Sequence, residues 1–198
     1  MVEDPTKRKT FKTKFYFRVK SVDVFNLQAI YRMMHEWFVE EEYCEDENKF
    51  PEVYMRDRNT QKRGREILVF WRFHKHPFGI NFYNRTIDLL VKMVGLKEVE
   101  VVQEGKKFRF QAGTFEVKVW GYLEYDVEMK WRNHWLLKHF LDIYVNRVTN
   151  RDMESHREEL LVEIESLQQA IKEYMNLMTH EHKHFNLKNV TMQENPYM

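Results

Sequence analysis

The chain has 198 residues, the size of one domain or of a domain with a helical extension. Its 32 Lys and Arg nearly cancel its 31 Asp and Glu, so a nucleic-acid role must rest on a local basic patch and not on bulk charge. A single cysteine, Cys44, excludes an intramolecular disulfide and a cysteine-built zinc site, and the acidic neighbours Glu41, Glu42, Glu45, Asp46 and Glu47 disfavour its thiolate.

Met1 to Thr10 lacks the apolar core of a signal peptide, and no apolar run reaches the roughly 18 residues of a membrane span. A cytoplasmic protein is expected. Residues Phe11 to Val19 alternate basic with aromatic or apolar side chains, the period of a strand. A helix capped by Ser21 or Asp23 follows, with Leu27, Ile30, Tyr31, Met34, Trp37 and Phe38 at three- and four-residue spacing. The acidic run Glu40 to Glu47 reads as a solvated loop.

Strand-like segments then succeed one another. Val53–Arg58 and Arg65–His74 flank a hairpin loop, and Ile80–Val94, Glu98–Gln103, Lys107–Gln111 and Thr114–Tyr125 come after it. Five of the six glycines fall at the joints, which reads as a meander of antiparallel strands. The last strand sets Phe115, Val117, Val119, Leu123 and Tyr125 against Glu116, Lys118 and Glu124.

The carboxyl third reads as two helices. Trp131 to Val148 carries a stripe of Leu137, Phe140, Leu141, Tyr144 and Val148. A longer helix, capped by Asn150 or Asp152, repeats Leu160, Ile164, Leu167, Ile171, Tyr174 and Met178 at the spacing of a coiled-coil seam. The expected fold is therefore α+β: a curved antiparallel sheet of six to seven strands, one helix after the first strand and two carboxyl-terminal helices. Residues 1–150 form the α+β domain, 151–179 the long helix, packed on that domain or on a neighbouring subunit, and 180–198 a polar tail. This order of elements is similar to the helix-grip arrangement, in which a sheet wraps a long carboxyl-terminal helix. Met33-Met34-His35-Glu36-Trp37 and Lys130-Trp131-Arg132-Asn133-His134-Trp135 resemble segments of uncharacterised archaeal proteins, a resemblance that implies no activity.

Candidate sites follow from side-chain chemistry. His180, His182 and His184 offer two or three imidazoles to a zinc-like ion whether the backbone there is strand or helix, against the plainer view of an exposed polar tail. His74 and His76 share one face at the end of a strand, a two-histidine set with no third ligand. Trp131 and Trp135 share a helix face that could grip a base, with Arg132 on phosphate, although packing on the sheet explains them more simply. Lys7, Arg8, Lys9, Lys12 and Lys14 crowd Phe11, Phe15 and Tyr16, and a second basic cluster holds Lys62, Arg63 and Arg65. Ser21, Ser155 and Ser166 lie outside any nucleophile elbow, and no two glycines form a phosphate-cradling loop, so nothing points to catalysis or to a cofactor.

Three readings of function result. The first is a non-catalytic interaction or self-assembly protein whose seam at Leu160, Ile164, Leu167, Ile171, Tyr174 and Met178 meets another copy or another protein. The second is a small-molecule binder with an apolar cavity lined by Phe115, Val117, Val119 and Leu123 under the long helix. The third is an RNA- or DNA-contacting factor that uses the basic amino-terminal arm.

Overall fold

Residues 11–44, 50–60, 64–76, 82–103 and 106–184 are described by a computed structural model. Alternation of polar and apolar side chains builds five antiparallel strands: β1 (Phe11–Phe25), β2 (Glu52–Thr60), β3 (Gly64–Lys75), β4 (Tyr83–Gln103) and β5 (Lys106–Tyr125). They lie in the order β1-β5-β4-β3-β2, so the first strand closes onto the last, while every other pairing joins neighbours in sequence. The helices are α1 (Leu27–Glu40), the short α2 (Lys130–Asn133) and α3 (Leu141–Ile143), and the 35-residue α4 (Asn150–His184).

The sheet has five strands, fewer than the glycine pattern predicts, because Gly95 and Gly113, two of the glycines read as joints, lie within strands. Gly95 takes a φ of +69° where the β4–β5 register shifts between Val94 and Lys97. This is a bulge with a glycine in the left-handed region, and the strand continues through it. Gly113 lies opposite that bulge, and a Cβ there would stand 3.1 Å from the Val94 carbonyl oxygen. Both glycines relieve crowding in one long hairpin.

The cap of α1 also differs from expectation. β1 continues through Ser21 and Asp23 to Phe25, and Asn26 is the cap, its side-chain oxygen accepting from the Gln28 and Ala29 amides at 3.1 and 3.2 Å. Ile30, Met34, Trp37 and Phe38 then turn inward, and Phe38 stacks on Phe73 of β3 with ring centroids 3.7 Å apart.

The predicted helix over Trp131–Val148 is broken into α2, a 3-10 turn (Leu137–His139), α3 and a π turn (Tyr144–Val148). Asp126 starts the first piece by accepting from the Trp131 and Arg132 amides, both at 3.1 Å. His134 ends it with an extended ψ of 128°, and its Nδ1 accepts from the Leu136 and Leu137 amides at 3.3 Å to begin the next turn. A polar side chain competing for backbone amides interrupts a helix in this way.

The seam of α4 belongs to the chain's own core, which corrects its assignment as an interface. Leu160, Leu167 and Ile171 are fully buried and Ile164 nearly so, in one cluster with Phe17, Val117, Val119 and Phe115. Tyr174 is half-buried and donates from its hydroxyl to the Asn26 carbonyl oxygen at 3.0 Å. The Met178 side chain lies outside the described residues. Ile164 sits directly over Gly121, where an added Cβ would fall 1.9 Å from its Cδ1. That contact leaves no space for the predicted cavity beneath the helix. The seam looks narrow in sequence because a charged flank residue, Glu163, also turns inward.

Candidate functional site

The helices cover one face of the sheet, and strand alternation sends the remaining side chains to the other. On β1, Phe15, Phe17 and Val19 face the helices, whereas Lys14, Tyr16, Arg18 and Lys20 are exposed on the open face. Strand register assembles four rows there. From β3 through β4 and β5 to β1 they read His74, Thr86, Tyr122, Lys14; then Arg72, Asp88, Trp120, Tyr16; then Phe70, Leu90, Lys118, Arg18; then Leu68, Lys92, Glu116, Lys20.

The first two rows hold a buried polar network at their β3–β4 end. Asp88, only 1% exposed, takes a two-pronged bond from Arg72, with Nε to Oδ1 at 2.7 Å and Nη2 to Oδ2 at 2.9 Å. The buried Asn84 amide donates to Thr86 and to Glu124 at 3.3 and 3.2 Å, and the His74 Nδ1 lies 3.0 Å from the Thr86 hydroxyl. The bonds of this network tie β3, β4 and β5 together, while the buried Asn84 Oδ1 is left without a hydrogen-bond partner among the described residues. His76 is exposed beyond the end of β3.

Toward β1 the face becomes open, aromatic and basic. Tyr16, 52% exposed, pairs across the strands with Trp120, with ring centroids 5.6 Å apart and planes 36° from parallel. Lys14 stands in the row before the pair and Arg18 and Lys118 in the row after it, with Lys20 and Lys92 one row further on. Glu116 lies among them, 2.9 Å from Arg18 Nε and 3.3 Å from Lys118 Nζ, while Asp88, which stands beside Trp120, is taken up by Arg72. Burial acts to raise the Glu116 pKa, but the bonds and charges of Lys118 and Arg18 outweigh it and hold the carboxyl below its ordinary range. Lys14 Nζ lies 6.0 Å from the centre of the Tyr122 ring. Exposed rings set among cations can stack bases and follow a phosphate backbone.

The described members of the two basic clusters, Lys14 on β1 and Arg65 on β3, stand on strands three spacings or about 14 Å apart along the sheet. Arg65 is also held by Asp57 through a two-pronged bond of 2.6 and 3.1 Å, which draws the Asp57 carboxyl below its usual range. Lys7, Arg8, Lys9, Lys62 and Arg63 lie outside the described residues, as does the side chain of Lys12. Lys14 is the member of the set that stands on the open face. Nothing in the sequence near Tyr16 announces Trp120, Lys118 and Lys92, because β5 pairs with β1 from about a hundred residues away and β4 joins this face only through β5.

The other candidates resolve differently. Helix α4 reaches His184, so the backbone of His180, His182 and His184 is helical, while their side chains lie outside the described residues. No group of three or more metal-ligating side chains occurs among the described residues. Trp131 stacks on Tyr144 at 4.4 Å against Phe82, and Trp135 is 74% exposed beyond the end of α2, so the two rings do not share a face. An open hollow of about 500 Å³ beside α4 is lined by Lys75, Arg85, Glu159 and Glu163 among others. Glu163 there accepts from Tyr43, Lys75 and Arg85 at 2.5, 3.2 and 2.9 Å. Burial and this carboxylate push the Tyr43 phenol well above its usual range. These opposed charges tether α4 to the sheet.

Comparison with protein-family models, curated proteins and solved structures finds no match.

Proposed function

We propose that this chain is a non-catalytic protein that binds single-stranded nucleic acid on the open face of its sheet. The observation that carries the reading is the Tyr16–Trp120 pair, with Tyr16 exposed and Trp120 half-buried, flanked by Lys14, Arg18 and Lys118 in the adjoining rows and followed by Lys20 and Lys92. A duplex hides the faces of its bases, so a sheet face that presents an exposed ring favours unpaired ones. The cations would track phosphates, and the rigid polar network beside them holds the platform in one register. The self-assembly reading loses its surface, since the seam lies inside the core, and the apolar-cavity reading loses its space to the Ile164–Gly121 contact.

The test is fluorescence anisotropy with a labelled single-stranded oligonucleotide across a salt series. Tyr16→Ser with Trp120→Ser should weaken binding by about 2 kcal/mol or more, since each stacked base is worth about 1–3 kcal/mol. Arg18→Gln with Lys118→Gln should make the salt dependence shallower by about one to two counterions. Absence of binding at low salt, or binding indifferent to the aromatic pair, rejects the platform.

A further inference from the structure

The open face does not end at β3. Strand pairing carries two of its rows on to the edge strand β2, where Tyr54 stands opposite Phe70 and Arg56 opposite Leu68. The row of Phe70, Leu90, Lys118 and Arg18 thus begins with Tyr54, and the next row begins with Arg56. Among the described residues, Tyr16 and Tyr54 are the exposed aromatic side chains that stand on the sheet, and both lie on this face, at its two edges. Asp57 alternates to the other face, where Arg65 holds it, so it does not offset Arg56. Arg58 does share the open face, but Glu66 stands opposite and offsets it.

Between the two edges the face is apolar. Leu68 and Leu90 are half-buried, and Phe70 is buried beneath Arg72, whose guanidinium carbon lies 5.5 Å from the ring centre while Asp88 holds its nitrogens. The order across the sheet is therefore a ring with cations, an apolar strip, and a second ring with a cation. An unpaired strand of nucleic acid has the matching chemistry, since each base offers an apolar face and each phosphate a negative charge. Resting on the nucleic-acid reading above, we propose that Tyr54 and Arg56 form a second subsite, so that the bound strand crosses the sheet and stacks one base at each edge. β1 and β2 are four strand spacings or about 19 Å apart. That span is about six steps of a stacked strand at about 3.4 Å each. A trinucleotide can occupy one ring cluster and a decanucleotide reaches both.

The experiment measures the affinity of the full chain for a labelled thymidine trinucleotide and a labelled thymidine decanucleotide at low salt. Tyr54→Ser with Arg56→Gln should weaken the decanucleotide at least about tenfold, and should leave the trinucleotide within about twofold because it sits on Tyr16 and Trp120. Tyr16→Ser with Trp120→Ser should weaken both probes. Met55→Ser alters the opposite face of the same edge strand, at a side chain 56% exposed, and should change neither. Decanucleotide binding that needs Tyr16 and Trp120 but ignores Tyr54 and Arg56 would overturn the second subsite and leave the first in place. An equal loss with Met55→Ser would also overturn it, since the strand and not its open face would then matter. Failure of both probes to bind removes the Tyr16–Trp120 platform and the second subsite with it.

Discussion

The two faces of the sheet are written by the same residues in alternation, yet they are built on opposite physics. Under the helices, Phe17, Val117, Val119 and Leu123 meet Leu160 and Ile164 with no room to spare, and stability comes from apolar burial of about 1.5–3 kcal/mol per large side chain. On the open face, order comes from Arg72–Asp88 and from the Asn84, Thr86 and Glu124 bonds, and the remaining side chains stay in solvent. The helix face tolerates almost no change of volume. Beyond its polar network, the open face tolerates nearly any change that leaves its strands paired.

The sharpest way to break this contrast is Ile164→Asp with Ile171→Asp. Two unpaired carboxylates in the core should abolish the fold, costing more than about 4 kcal/mol, with loss of helical circular dichroism at neutral pH. A protein that keeps its helicity would show the seam to be dispensable to the core. Next in size is Gly121→Ala, whose methyl would collide with Ile164 Cδ1 and should cost about 2–3 kcal/mol in urea unfolding. Adding Ile164→Val removes that colliding methyl, so the pair should cost less than the sum of the single changes.

The smallest effect tests the open face. Because the Glu116 pKa is depressed in the folded state, its contribution is complete at neutral pH and fades as pH falls through the folded value, below the ordinary 4.5. Glu116→Gln should therefore cost under about 1 kcal/mol at pH 7 and flatten the acid limb of the stability profile. Removing the carboxylate that holds Arg18 and Lys118 should also tighten oligonucleotide binding a few-fold at neutral pH, as acid should for the unaltered protein.

Much of the helix face is legible in the sequence. The period-two run from Phe115 to Leu123 and the three- and four-residue spacing from Ile30 to Phe38 both point inward as read. The strand count is not legible, since a glycine at a bulge and a glycine at a turn look alike until register is known. Nor is the break at His134, where one ring nitrogen takes two amides that a continuous helix would have used. The seam misleads for a further reason: Glu163 counts as a solvated flank by residue type, but Lys75 and Arg85 draw it inward from strands about eighty residues upstream. For the candidate site, Lys14, Tyr16 and Arg18 could be read from β1 alone, and their partners could not.

The closure of β1 onto β5 has a kinetic consequence. Four of the five strands join through local hairpins that can form as the chain emerges, but β1 must wait for a partner about a hundred residues downstream. During synthesis the amino-terminal strand is made first and paired last, its aromatic and basic residues unpaired until the final strand is free. The Tyr16–Trp120 platform is thus a late product of folding: a chain truncated before β5 would carry Tyr16 and no partner for it, whatever hairpins it had already formed.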